Sequence, residues 1–374
     1  MSEGRSVLDP ARRSPLGSTL LRGLRRVNRS PQLTVRHYGR CVISDPLPAG
    51  VVVAELFGWS SPHSMTLAGE GHMGRIWRLD TRDGPYAVKE LHWARDIAAE
   101  EPAVARQVAF CDAARAAGVR APASLPTANG RYLAALPAEH GGRLVRAYEW
   151  VDARPLAEVD TAVSAWVGET VAIIEGVAAP VGDQPLDPWF TAPPSAEDWS
   201  ALVERCEAAG QPWAKQLRAA VPGLLDLADR LEPPETEALI IAHTDLDRQN
   251  VLVEPNGEFV LLDWDDACPT TPSRALGQVI NNWHIHSAEV DHDGLRQTMR
   301  AYRAAGGQAQ VSAVTDLGDS ICAYVNHVAS QANLSLDRDQ PAEFWQGASR
   351  RIPALLHHPP LEAYEEAVRL AARL

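Results

Sequence analysis

The residues with the most chemical content lie between 243 and 265. They read His243-Thr244-Asp245-Leu246-Asp247-Arg248-Gln249-Asn250, then an apolar stretch, then Leu261-Leu262-Asp263-Trp264-Asp265. Asn250 follows Asp245 by five residues, and Asp263 follows Asn250 by thirteen, across a hydrophobic strand. This spacing suits phosphoryl transfer. Asp245 would orient an attacking hydroxyl and accept its proton, while Asn250 and Asp263 would coordinate magnesium, a hard cation that takes oxygen ligands. His243 suits bracing of the loop by hydrogen bonds better than base catalysis. Asp265 and Asp266 offer carboxylates to an amine-bearing acceptor. Glu289, Asp291 and Asp293 extend that acidic wall, although ordinary solvated loop charge accounts for these three equally well.

Two upstream features belong with this block. Gly69-Glu-Gly71-His-Met-Gly74 fits GxGxxG but runs into the β-patterned Arg75-Ile76-Trp77. A dinucleotide fingerprint requires its glycines to open a helix. The expected structure is therefore a hairpin over phosphates, where glycine lets backbone approach without a Cβ. Lys89 follows in Tyr86-Ala-Val-Lys89. Of the 35 basic residues in the chain, only Lys89 and Lys215 are lysines. In a chain so committed to arginine, a lysine at a strand end implies a need for a compact ammonium that a planar guanidinium does not meet.

The elements that must position these groups fall into two kinds. Val51–Leu56, Met73–Leu79, Tyr86–Leu91, Tyr132–Leu136 and Leu144–Val151 read as strands, with Asp83-Gly84 as a hairpin turn. Residues 102–117 interrupt them with one helix ending at Gly118, a C-cap signal. Beyond Pro155 the pattern is helical over 161–178, 196–209, 213–231, 273–286, 294–304, 313–333, 341–356 and 360–373. The division expected is a basic arm over 1–45, a small antiparallel β-rich lobe with one main helix over 46–147, and a large mainly helical lobe over 148–374. The class is α+β.

Bulk properties narrow the setting. A chain of 374 residues is long enough for two lobes. The net charge is −13 even though residues 1–40 hold nine arginines against Glu3 and Asp9, so the acidity belongs to the rest of the chain. An acidic body argues against nucleic acid as partner and is compatible with a cationic small substrate. Its arginine-rich arm could contact an acidic partner, although charge runs are commonly solvated tails. No apolar run reaches the ~18 residues of a membrane span. Five scattered cysteines without CxxC spacing suit a reducing compartment, and a cytoplasmic location is expected.

Taken together, these motifs resemble the aminoglycoside phosphotransferase-like family, a branch of the protein-kinase-like fold. The resemblance rests on His243-x-Asp245-x-x-x-x-Asn250 and on Asp263-Trp264 in place of Asp-Phe-Gly, and it covers roughly residues 65–290. Thr244 stands where the pattern commonly has glycine. The resemblance implies a bilobal enzyme that moves the γ-phosphoryl of ATP or GTP, with Mg2+, to a hydroxyl. It implies that Gly69, Gly71, Gly74 and Lys89 hold the nucleotide, and that backbone of Glu149 and Val151, in the joining segment, pairs with the base. A helix glutamate should pair with Lys89. Glu101 is the first choice and Glu100 the second; Gln107 lies deeper in the helix, and an altered pair stays open. The acceptor expected is an antibiotic or related metabolite. The alternatives are a Ser or Thr of a peptide, recruited by the basic arm, or no chemistry at all in a kinase-like binding module.

Overall fold

The computed structural model describes residues 47–70, 74–92, 96–340, 342–357 and 361–374, so the basic arm and Gly71 lie outside the described residues. The first element among the described residues is a helix, α1 (Leu47–Phe57), where a strand is expected from Val51–Leu56. Val53, Ala54 and Phe57 share one helical face and pack with Met65, Trp77, Leu79 and Val88. That burial overrides the strand preference of the valine run. Gly50 allows the contact, since a Cβ there would sit 2.8 Å from Leu79 Cδ1.

An antiparallel sheet follows: β1 (Ser64–Glu70), β2 (Gly74–Asp80), β3 (Pro85–Leu91), β4 (Ser124–Leu125), β5 (Ala134–Ala135) and β6 (Leu144–Glu149). Its order is β1-β2-β3-β6-β4, with β5 also on β6. The turn at Asp83-Gly84 forms as expected, with Gly84 at φ +135°. Helix α2 (Ile97–Ala116) starts five residues before Pro102 because Asp96 caps it, its carboxylate accepting from Ala98 N at 2.9 Å. Glu101 therefore lies inside the helix and not at its N-cap.

After β7 (Arg154–Pro155) the chain is mainly helical: α3 (Thr161–Gly176), α4 (Pro188–Thr191), α5 (Ala196–Ala208), α6 (Ala214–Ala228), α7 (Pro272–His284), α8 (His292–Ala304), α9 (Gly318–Leu336), α10 (Ala342–Leu355) and α11 (Leu361–Ala371). Short strands β8 (Ile240–Ala242), β9 (Val251–Val253), β10 (Phe259–Leu261) and β11 (Cys268–Thr270) lie between α6 and α7, and β12 (Ile285–His286) and β13 (Glu289–Val290) close α7. One apolar core joins α3, α7, α8 and α11 around Trp264, Trp283 and Tyr302. A second core lies among α5, α6, α9 and α10, around Trp199, Leu217 and Val328.

The crossing of α3 and α8 is a close backbone approach within the first core. Gly168 is in van der Waals range of α8 backbone, and a Cβ there would fall 2.1 Å from Thr298 O. Thr298 Oγ1 donates to Ser164 O at 2.8 Å and faces His284 Nε2, so one hydroxyl serves three elements. Gly168→Ala should therefore destabilise the protein by about 2–3 kcal/mol, the usual cost of overpacking a rigid contact. Urea unfolding measures it, and an unchanged midpoint would show that α3 and α8 can separate freely.

One turn further along, Tyr302 Oη donates to Glu175 Oε2 at 2.5 Å and accepts from Ala309 N. Burial pushes the Glu175 carboxyl up to about 7, against the pull of the Tyr302 hydroxyl and Arg303. A carboxyl with a folded pKa above its unfolded one keeps its proton longer in the native state, so stability falls as pH rises from 4.5 to about 7. Glu175→Gln should raise the unfolding free energy at pH 8 by an amount on the order of 2 kcal/mol, seen as a higher Tm, and change it little at pH 5. Equal shifts at the two pH values would rule out burial of this charge as the cause.

Candidate functional site

The hairpin β9–β10 does most of the positioning. Val251 lies opposite Leu261 in its register, and Leu262 N donates to Asn250 O at 2.8 Å. Asn250 and Asp263, thirteen residues apart in the chain, thus flank the same end of one two-stranded ribbon. Asn250 Nδ2 donates to Asp245 O at 2.9 Å and to Asp245 Oδ2, which closes the loop 245–250 on itself. With its N–H groups turned to Asp245, the atom Asn250 can offer a cation is Oδ1. Asp247 caps the short turn before Asn250, accepting from Gln249 N.

His243 is a brace. Its Nδ1 accepts from Asp245 N at 3.2 Å, so Nε2 carries the proton and donates to Leu262 O at 3.0 Å. The ring packs edge-on to Trp264 at 4.7 Å, and Trp264 in turn meets Phe110 of α2. Trp283 Nε1 donates to Leu246 O at 2.9 Å and fixes the loop from the α7 side. Thr244 and Asp263 both hold positive φ, at 52° and 60°.

Across the cleft, Lys89 Nζ lies 2.8 Å from Asp263 Oδ1 and 2.8 Å from Asp265 Oδ2. Arg146 sits directly opposite Lys89 in the β3–β6 register, on the same face, and pairs with Asp265 Oδ1. Tyr148 Oη is 3.3 Å from that same oxygen. Burial alone would lower the pKa of Lys89, but Asp263 and Asp265 overrule it and hold the ammonium charged. Burial likewise opposes ionisation of Asp265, and the Arg146 and Lys89 charges beside it bring its pKa below the ordinary carboxylate value.

Several expectations change here. Glu101 does not pair with Lys89: its two oxygens accept from Tyr132 N at 2.8 Å and Leu133 N at 3.1 Å, pinning the segment before β5. Gln107 is the helix residue that reaches the cluster, donating to Asp265 O and accepting from Arg146 Nη1 at 3.2 Å. Asp265 is occupied by two buried cations, whereas Asp266 is half-buried and receives Thr244 Oγ1 on its backbone oxygen. Asp291 caps α8 and Asp293 pairs with Arg296, which leaves the acidic wall without these two. Gly69 and Gly74 flank the expected hairpin. Gly69 lies at a bulge in β1, and Gly74 is required by strand pairing, since its Cβ would fall 2.1 Å from Glu90 O.

The joining segment is braced by its neighbours. Glu149 N donates to Ala123 O, the Glu149 carboxylate accepts from Ala123 N, and Val151 O accepts from Ala153 N at 3.1 Å. A groove of about 730 Å³ lined by Tyr86, Leu125, Glu149, Trp150 and Val151 does not include Lys89, Asp245, Asn250 or Asp263. Arg146 is the residue that sequence reading missed. Its signal was a charge inside the strand Leu144-Val-Arg-Ala-Tyr148, whose other positions are apolar or aromatic.

His243→Phe keeps the ring contact with Trp264 and removes both hydrogen bonds. It should lower phosphoryl transfer about 10²-fold, the usual result of loosening a reactive group's position. Nucleotide affinity, read by calorimetry, should stay within about threefold, because the lost bonds orient Asp245 and not the nucleotide. A variant with full turnover would remove His243 from the brace.

The family model described as "phosphotransferase enzyme family" matches residues 64–309. Among solved structures, a spectinomycin phosphotransferase in complex with ADP and spectinomycin superposes with TM-score 0.61 at 14% identity, covering 86% of this chain and 98% of the other. An amicoumacin kinase bound to AMP-PNP and Ca2+ gives TM-score 0.56 at 14% identity, covering 84% and 92%. No curated protein sequence matches at a significant level. The architecture is the bilobal, protein-kinase-like fold of aminoglycoside phosphotransferases.

Proposed function

The chain belongs to the phosphotransferase enzyme family and is a kinase for alcohol groups, and from that membership we propose that it moves the γ-phosphoryl of ATP or GTP to a hydroxyl of a small, amine-bearing antibiotic or secondary metabolite. The observation that carries this reading is the closed unit Asp245–Asn250 beside Asp263, set across the cleft from Lys89. Asp245 orients the acceptor hydroxyl and takes its proton as the new P–O bond forms. Lys89 holds phosphate oxygens. Gly69 and Gly74, near the paired ends of β1 and β2, bring backbone close to them, and backbone of Glu149 and Val151 meets the base.

Asn250 Oδ1 and the Asp263 carboxylate fit a magnesium ion, being hard oxygen donors at one end of a single hairpin. When bound, magnesium would neutralise phosphate charge and tie the transferred group in place. The acidic body of the chain favours a cationic acceptor. The spectinomycin phosphotransferase and amicoumacin kinase likenesses support the metabolite class.

Transfer from ATP or GTP to a panel of aminocyclitol, aminoglycoside and simple amino-alcohol acceptors, followed by ³¹P NMR, tests the proposal. Asp245→Ala should lower transfer by about 10³-fold or more while nucleotide affinity stays within a few-fold. Asp263→Ala should abolish the magnesium dependence of nucleotide binding. Near-normal turnover of the Asp245 variant would refute the assignment. A phosphorylated peptide, lost on deletion of residues 1–45, would replace the small acceptor.

A further inference from the structure

Building on the reading of the cleft as a nucleotide site, we propose that Asp265 is the residue that positions Lys89, and that Arg146 and Gln107 hold Asp265 in place. The carboxylate that would do this from helix α2 is missing. Glu101 is spent on Tyr132 and Leu133, and the α2 side chain that reaches the cluster is the neutral Gln107. The charge has moved to a different element. It stands two residues after Asp263, in the turn Trp264–Asp266.

The arrangement balances. Lys89 and Arg146 face one another across β3 and β6, with side-chain exposures of 10% and 4%, so two neighbouring cations are withdrawn from water. Asp265 divides its oxygens between them, Oδ2 to Lys89 and Oδ1 to Arg146, with Tyr148 on Oδ1 as well. Gln107 fixes the Asp265 backbone oxygen and turns its own oxygen to Arg146. When Asp263 turns to a cation, Lys89 keeps Asp265 as partner. Arg146 prevents Asp265 from following Asp263, because both carboxylate oxygens are already committed to buried cations. Asp265 is thus a positioning residue, tethered from the sheet and from α2 at once.

The scarcity of lysine makes the test direct. Lys89 and the exposed Lys215 are the chain's only lysines, so acylation of the whole, nucleotide-free protein by acetic anhydride, mapped by mass spectrometry, reads Lys89 against an internal standard. Asp265→Asn should raise the Lys89/Lys215 ratio about tenfold, the loss of one charge-assisted hydrogen bond that holds the ammonium in the buried cluster. Asp265→Glu should keep it near the native value. Asp265→Asn combined with Gln107→Glu, which returns the carboxylate to α2, should recover most of the protection. Gln107→Leu, which touches neither lysine and adds no charge, should raise the ratio about threefold, a partial loosening of the same contact, and serves if Asp265→Asn does not fold.

A native ratio in both Asp265→Asn and Gln107→Leu would overturn the proposal. So would a large rise in the magnesium concentration needed for nucleotide binding by Asp265→Asn with Lys89 still protected, which would make Asp265 a metal ligand. The nucleotide reading is separable. If Mg·ATP fails to protect Lys89 in the native protein while Asp265→Asn exposes it, the positioning role stands and the nucleotide site does not.

Discussion

The withdrawal of two cations from water is the constraint around which the cleft is arranged. Lys89 and Arg146 lie side by side on one face of the β3–β6 pair, almost fully buried. Unpaired, either would cost several kcal/mol, and placed together they repel as well. Asp263 and Asp265 come from the other lobe to neutralise them. The lobes are thus held in register by the need for these ion pairs as well as by apolar contact, since Phe110, Cys111 and Ala114 of α2 join the core around Trp264. The same need explains the order of the segment. Asp263 and Asp265 can both point at the sheet only because Asp263 adopts φ 60° and the next three residues form a tight turn.

The helical lobe serves that turn from behind. Trp264 places its indole between His243 and Phe110, so the residue separating the two carboxylates also joins the catalytic loop to α2. Trp283 and His243 add hydrogen bonds to Leu246 and Leu262. Each contact fixes backbone next to a functional side chain, leaving the side chain itself to move by rotation alone. The close crossing of α3 and α8 lies within the core that includes Trp264 and Trp283, which gives the loop a rigid floor.

The parts of the site legible in the sequence were those in which chemistry and spacing coincide. Asp245, Asn250 and Asp263 stand near one another because a hairpin of fixed register joins them, and that register is implied by two short apolar runs around Asn256-Gly257. Helices α5, α6 and α8 were legible because each buries a stripe of period near four, whereas α9 is buried on nearly every face. Val51–Leu56 misled because its apolar and β-branched residues fit either period, and only the sheet face beneath α1 decides between them. Glu101 misled for a related reason. Its place depended on where α2 starts, and the cap at Asp96 moved that start to five residues before Pro102, more than a turn. Arg146 and its partnership with Asp265 depend on which strands are adjacent, a property that one strand's sequence does not contain.

Thr244 shows how the remaining strain is arranged. Among the described residues four non-glycine positions have positive φ, and two of them, Thr244 and Asp263, bracket the catalytic segment. A β-branched residue in this conformation costs about 1–3 kcal/mol and persists only where its surroundings over-determine it. The pattern that this segment resembles commonly has glycine at the position of Thr244, which the φ of 52° now explains: glycine adopts it without cost. Thr244 offsets part of the strain by donating its hydroxyl to the Asp266 backbone. That bond ties the start of the catalytic loop to the end of the turn bearing Asp263 and Asp265. The substitution therefore exchanges backbone freedom for a direct link between the loop that bears Asp245 and the pair that holds Lys89.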